Sequence, residues 1–207
     1  MAPGARRLPA VLLGIYALWW TGLAVAPSFR QDWLLENLLV VIAVPLLVLM
    51  HRRVHLTNTA CCALFAFFCM HALGAHYTYS EVPYDAWAQS LTGRGIDETF
   101  GFERNQFDRL VHFLYGLLIT PAAIALLDAR APQQGLWRWL LPWLFMVSHA
   151  TLYEMIEMAA AFAFGGELGQ AYLGTQGDVW DAQKDSALEA IGAGITVLAC
   201  RWPRAQD

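Results

Sequence analysis

Two side chains near the middle of the chain have types and a spacing that suit a metal ion. Asp108 and His112 are four residues apart, so in a helix they lie on one face, one turn apart. A carboxylate with an imidazole suits zinc, iron or manganese, whereas carboxylates with water suit magnesium. Asp181 and Asp185 repeat the four-residue spacing later in the chain. The pattern predicts a divalent metal ion (zinc, manganese, iron or magnesium) with these four residues as ligands.

Other polar residues accompany the four candidate ligands. Glu154 and Glu157 are three residues apart, share a helix face and are candidates for a general base. Arg109 and Lys184 adjoin the candidate ligands and are expected to bind an anionic substrate group. The remaining candidates are Tyr77 and Gln176 as substrate contacts, together with His76, Glu81, Asn105 and Asp178.

The composition is that of an integral membrane protein. The 207 residues are 57% hydrophobic and 14% charged, whereas soluble domains carry about 25% charged residues. The four cysteines lie in or at the end of apolar runs, so no disulfide framework is expected. We expect one integral membrane domain over residues 1–207, the lipid bilayer as its surroundings and no nucleic-acid partner.

Six apolar runs approach the roughly 20 residues that a helix needs to cross a bilayer. The first also resembles a signal peptide, but its apolar stretch of about 18 residues is long for one, so we expect a retained helix. The fold class is therefore an all-α bundle of six transmembrane helices. The predicted spans lie near 8–26, 33–50, 57–75, 108–127, 137–162 and 182–200.

The basic residues predict the orientation of this bundle, because cytoplasmic segments of membrane proteins are enriched in Lys and Arg. A cytoplasmic N-terminus and C-terminus place eight of the 13 basic residues inside. The candidate polar site then lies at the outer ends of helices three to six and faces outward. The inner basic residues are Arg6, Arg7, Arg52, Arg53, Arg130, Arg138, Arg201 and Arg204.

Acidic residues outnumber basic ones at these outer helix ends. An ionised side chain near the bilayer centre costs about 2.5–3.5 kcal/mol, so Glu154, Glu157 and Asp185 need a cation, a basic partner or a proton. The leading hypothesis is a metal-dependent membrane enzyme, a hydrolase or transferase, that acts on a lipid or lipid-linked envelope substrate.

Two alternatives remain open. The first is a small ion- or proton-coupled transporter that uses the same acids as proton sites. The second is a structural, assembly or envelope-stress protein whose bundle is locked by ion pairs such as Asp108–Arg109 and Asp185–Lys184. The sequence predicts no particular oligomeric state.

Four stretches of the chain resemble the YjdF-like bacterial inner-membrane proteins. They are HYTYSEVP, RNQFDRLVHFLYG, YEMIEM and GTQGDVWDAQKD, and the similarity extends from about Arg30 to Gly194. The resemblance implies a multi-pass protein of the bacterial inner membrane and implies no particular activity.

A more distant similarity connects the chain with VanZ-like membrane proteins. Asp108-Arg109-x-x-His112-Phe113 is similar to their Asp-Lys-x-x-His-Phe element, and Asp181 and Asp185 resemble their later Asp and Asn pair. Arginine replaces lysine here, and the second aspartate adds a negative charge that favours a cation. VanZ-like proteins are associated with glycopeptide resistance, which implies a role near envelope lipids.

Overall fold

The structure, a computed structural model, describes residues 7–201 except the side chain of Ala171, so Arg6 and Arg204 of the predicted inner charge lie outside the described residues. Within that range the only regular secondary structure is helix, joined by turns and short irregular segments. The helices are α1 Arg7–Leu23, α2 Arg30–Val54, α3 Asn58–His76, α4 Tyr84–Thr92, α5 Ile96–Phe100, α6 Phe107–Arg130, α7 Trp137–Phe164, α8 Gly166–Leu173 and α9 Asp181–Arg201.

Each predicted span coincides with one long helix, namely α1, α2, α3, α6, α7 or α9. Among the described residues, α2, α3 and α6 are long and apolar enough to cross a membrane, and α1 is apolar but has only 17 residues. α7 and α9 have the length, but polar side chains such as Glu154 and Glu189 interrupt their apolar sequences. The all-helical membrane fold is confirmed, whereas six spans and cytoplasmic termini stay predictions.

The connection between α3 and α6 is a packed unit that contains α4 and α5. The Tyr84 hydroxyl donates a hydrogen bond to Asp97 Oδ1 at 2.7 Å and accepts one from the Gln106 backbone N–H at 2.8 Å. Burial, together with the hydrogen bond to the Asp97 carboxylate, raises the pKa of Tyr84 to about 12. These bonds attach the connection to Gln106, the residue that immediately precedes α6.

α6 and α9 pack with their backbones in contact. A Cβ atom at Gly116 would collide with the backbone oxygen of Glu189, and one at Gly192 would collide with that of Phe113. Small residues allow such close approach between membrane helices. Thr196 adds a hydrogen bond from its Oγ1 to the Leu117 backbone oxygen at 2.7 Å. The contact fixes the register of α6 against α9.

α3 joins the two halves of the bundle. It packs against α1 and α2 on one side and against α6 on the other. Phe67 and Phe68 lie in the buried core there, and the Phe68 ring meets Tyr16 of α1 edge-on at 5.7 Å between centroids. α2 packs mainly against α3, α8 and α6, whereas α7 packs mainly against α9, α8 and α6.

Candidate functional site

A layer of ion pairs connects the start of α6 with the turn that precedes α9. Arg104 Nη1 lies 2.5 Å from Asp181 Oδ1 and 3.9 Å from Asp178 Oδ2. The same nitrogen donates a hydrogen bond to the Thr175 backbone oxygen at 2.9 Å. The Arg104 and Asp181 side chains are only 12% and 5% exposed. Asp181, a predicted metal ligand, is therefore held by an arginine.

The two cations that were predicted to bind an anionic substrate belong to the same layer. Arg109 forms an ion pair with Asp178, and Lys184 Nζ lies 2.5 Å from Asp178 Oδ2. The hydrogen bond from Lys184 is the main reason that the pKa of Asp178 is lowered to about 2. The expected pairs Asp108–Arg109 and Asp185–Lys184 are replaced by pairs to Asp178.

Beneath this layer, three predicted ligands come together. Asp108, His112 and Asp185 each offer one ligand atom, and these atoms lie within 4.8 Å of one another. His112 Nε2 is 3.6 Å from Asp108 Oδ1, and His112 Nδ1 is 3.9 Å from Glu154 Oε1. The imidazole thus lies between two carboxylates, with both separations longer than a hydrogen bond. We call Asp108, His112, Glu154 and Asp185 the acid–histidine cluster.

Two carboxylates of this cluster, those of Glu154 and Asp185, have an oxygen that lacks a partner. Asp185 Oδ1, Glu154 Oε1 and the adjacent Glu189 Oε1 are buried without a hydrogen bond. Asp185 and Glu189 are each 2% exposed, and within residues 7–201 neither forms an ion pair with Lys or Arg. Since an unpaired buried charge is costly, these oxygens require a cation or protons.

A cavity of about 380 Å³ extends from the cluster to the side of the bundle. Its apolar wall includes Ile42 and Leu46 of α2 and Leu152 and Ile156 of α7. These four residues are also between 47% and 59% exposed on the side of the bundle. Because they line the cavity and the surface at once, the cavity opens laterally between α2 and α7. Its polar wall contains Glu36, His71, Tyr79, Asp108, His112, Tyr115, His149, Tyr153, Glu157, Tyr172 and Glu189.

The remaining predicted site residues lie outside this cavity. Asn105 and Gln176 exchange two hydrogen bonds, from the Asn105 N–H to Gln176 Oε1 at 3.0 Å and from Gln176 Nε2 to the Asn105 oxygen at 3.1 Å. His76 Nδ1 bonds the Leu23 backbone oxygen at 2.8 Å, Tyr77 packs against Trp87, and Glu81 is exposed. These residues hold the connections between helices.

Sequence reasoning missed the contribution of α2. Asp32 and Glu36 are 1% and 3% exposed, and each has a carboxylate oxygen without a hydrogen bond. Glu36 also lines the cavity, opposite the acids of α7 and α9. Their four-residue spacing places both on one face of α2, which is the signal that could have revealed them. Arg104 was missed as well, although it adjoins the candidate Asn105.

Comparison with known proteins identifies the family of this chain. Residues 8–205 match the family described as "Predicted membrane protein (DUF2238)". The chain belongs to this family. The chain is also 34% identical over 200 residues to the inner membrane protein YjdF of Escherichia coli (strain K12), covering 93% of this chain and 90% of that protein. No solved structure matches the chain.

Membership of the DUF2238 family confirms two expectations from the sequence. The similarity to YjdF-like proteins is confirmed, and the chain is a multi-pass protein of the inner membrane. The similarity to VanZ-like proteins stays a prediction, as do the bound metal and the roles of the site residues in this DUF2238 protein.

Proposed function

We propose that this protein is a metal-dependent membrane enzyme, a hydrolase or transferase, that acts on a lipid or lipid-linked envelope substrate. The observation that carries the proposal is the convergence of Asp108, His112 and Asp185, with ligand atoms within 4.8 Å of one another. The unpartnered Asp185 Oδ1 supports it further, because a cation would balance this buried carboxylate.

Asp108, His112 and Asp185 are the first ligands in this proposal. Asp181 is the weakest of the four original candidates, because it is paired with Arg104 at 2.5 Å. Glu154 lies 3.9 Å from His112 and is either a fourth ligand or a base. A ligand set of one imidazole and several carboxylates fits zinc, manganese or iron better than magnesium.

The chemistry divides between the metal and the carboxylates. When bound, a divalent ion supplies Lewis acidity toward an ester or phosphoryl oxygen. Glu157 lines the cavity and is 8% exposed, so it is suited to take a proton from an attacking water or hydroxyl. Tyr153, on the same stretch of α7, also lines the cavity and can donate a hydrogen bond to the substrate.

The lateral opening supports a substrate that resides in the bilayer. A hydrocarbon chain can lie along Ile42 and Leu46 while its polar end reaches the acid–histidine cluster. The cavity lining includes no Lys or Arg among the described residues, so an anionic substrate oxygen would depend for its positive partner on an ion held by Asp108, His112 and Asp185. Arg109 and Lys184 instead line a separate groove that includes Tyr84 and Phe113.

The outward orientation is part of the proposal and is supported by the distribution of charge. The site uses the ends of α2, α3, α6, α7 and α9 that lie away from Arg52, Arg53, Arg130 and Arg201. If this arginine-rich end faces the cytoplasm, the site faces the outer leaflet.

A proton- or ion-coupled transporter is the second candidate. It is favoured by Glu36 and Glu189, which are both buried, line the cavity and have an unpartnered carboxylate oxygen. Such intramembrane acids are typical of proton relays. Phe68, however, lines both this cavity and a separate groove at the end of α2 that carries Arg52. Its ring lies between the two, which favours a one-sided site.

The test is turnover by purified protein loaded with zinc, manganese or iron, in vesicles made from bacterial inner-membrane lipids and lipid-linked precursors. We expect release of a water-soluble headgroup, which Asp185→Asn abolishes. Asp128→Asn retains activity, because the Asp128 side chain is 45% exposed and pairs with Arg201 outside the site. Equal release by the wild type and Asp185→Asn, or none with any metal and lipid, contradicts the proposal.

A further inference from the structure

Another groove lies at the other end of the bundle, where α1 and α3 begin and α2 ends. Its volume is about 610 Å³, and it runs between α1 and α2 with α3 as its floor. Apolar side chains from all three helices line it, including Leu13 of α1, Val44 of α2 and Phe65 of α3. From Val44 to Arg52 the groove follows α2 for about 12 Å.

The mouth of this groove is basic. His51, Arg52 and His55 line it, and residues 37–80 contain no Asp or Glu. α1, the other wall, is also free of acids. Within residues 7–201, Arg52 forms no ion pair. The positive charge is therefore available to an anion from outside the chain.

A buried hydroxyl inside the groove has no partner. Tyr16 lines the groove, is 7% exposed, and its hydroxyl oxygen lacks a hydrogen bond. Tyr16 is seven residues from Pro9 at the mouth, about 10 Å along α1, and helix side chains tilt toward the helix N-terminus, which here is the mouth. A buried hydroxyl is costly without a partner, so it indicates a ligand with an acceptor at this depth.

We propose that this groove binds an anionic phospholipid. The phosphate lies against Arg52, His51 and His55, an ester carbonyl accepts from the Tyr16 hydroxyl, and one acyl chain fills the apolar groove past Leu13. Basic pockets between membrane helices bind anionic lipid headgroups in this way. The site is distinct from the acid–histidine cluster, and its existence does not depend on a bound metal or on turnover.

Native mass spectrometry of the delipidated full-length protein tests this, with phosphatidylglycerol titrated against phosphatidylcholine of the same chains. We expect one phosphatidylglycerol per chain and much weaker retention of phosphatidylcholine. Arg52→Gln weakens phosphatidylglycerol binding about fivefold. Arg53→Gln is the matched control, because Arg53 is the exposed neighbour that does not line the groove, and it leaves binding unchanged.

A second pair of variants tests the groove itself. Leu13→Trp fills the groove and abolishes retention, whereas Leu18→Trp, on the same helix but 78% exposed and outside the groove, does not. Both variants are compared at equal helical content by circular dichroism. Equal binding of both lipids to the wild type, or equal retention of phosphatidylglycerol by Leu13→Trp and Leu18→Trp, overturns the proposal.

Discussion

Gly116 of α6 and Glu189 of α9 meet through their backbones, one helical turn beyond His112 and one beyond Asp185. A side chain at position 116 would collide with the Glu189 carbonyl oxygen. Because both helices continue from this contact, it sets the separation of His112 and Asp185. The geometry of the acid–histidine cluster thus depends on a close helix contact that involves no charged side chain.

Enlarging a glycine at this contact will destabilise the bundle. Gly192→Ala places a methyl group against the Phe113 backbone oxygen, and overpacking of this kind costs about 1–3 kcal/mol. We expect the apparent melting temperature in detergent to fall by about 2–10 °C. Gly194→Ala is the control, since its Cβ would lie 3.5 Å from Trp143 Nε1, an ordinary contact. Equal melting temperatures for Gly192→Ala and Gly194→Ala would show that α6 and α9 can move apart at little cost, and would contradict a tight contact between their backbones.

Removing Arg104 will loosen the end of the bundle at which α6 and α9 begin, without changing the acid–histidine cluster. Breaking one partner of a buried ion pair costs about 3–5 kcal/mol, and Arg104 is the nearest cation to Asp181. Arg104→Gln should therefore lower the apparent melting temperature, whereas Arg94→Gln, at an exposed position between α4 and α5, should not. Metal content of the folded Arg104→Gln protein should match the wild type. Loss of metal in this variant would instead assign Asp181 and its partners to the metal site.

The helices and the residue types of the cluster could be predicted from the sequence, because Asp108, His112, Glu154 and Asp185 were all candidates. Each of the six long helices coincides with an apolar run of the sequence, and four-residue spacing correctly placed Asp108 beside His112. The partners of the aspartates could not be predicted, because helical spacing alone does not reveal which arginine faces them. Asp181 and Asp185 lie four residues apart on one face of α9. Asp181 is nevertheless paired with Arg104, whereas Asp185 lies beside His112. Glu36 was missed because the second span was predicted from its apolar residues alone, and the acids within it were not counted as site residues.

Narrowing the opening between α2 and α7 should exclude lipid from the cavity beside the acid–histidine cluster. Leu46→Trp adds bulk to the apolar wall between α2 and α7. Leu38 is the matched control, because it lies on the same helix with 58% exposure against 59% for Leu46, and does not line the cavity.

Photo-crosslinking in vesicles measures this exclusion, with a phospholipid that carries a diazirine in the middle of one acyl chain. The lipid should label the peptide that contains Leu152 and Ile156. This labelling should fall severalfold in Leu46→Trp and stay unchanged in Leu38→Trp. Because the opening does not require a metal, Asp185→Asn should label like the wild type. Unchanged labelling in Leu46→Trp would exclude this route for a lipid substrate.

The Tyr16 hydroxyl should distinguish ester lipids from ether lipids in the basic groove. Ether-linked phosphatidylglycerol has the same headgroup but no carbonyl acceptor, so we expect it to bind the wild type roughly two- to tenfold more weakly. Tyr16→Phe should bind both lipids with the weaker affinity. Native mass spectrometry measures both affinities. If Tyr16→Phe still binds the ester lipid more tightly than the ether lipid, the Tyr16 hydroxyl does not contact the ester carbonyl.

Metal content of the detergent-purified protein tests the proposed cluster most directly. After incubation with zinc, manganese and iron, inductively coupled plasma mass spectrometry should find close to one ion per chain in the wild type. His112→Ala and Asp185→Asn should lose it, while His76→Ala, a histidine bonded to Leu23 away from the cluster, should keep it. No metal in the wild type, or metal retained by His112→Ala, would contradict the metalloenzyme and leave proton-coupled transport as the function to test.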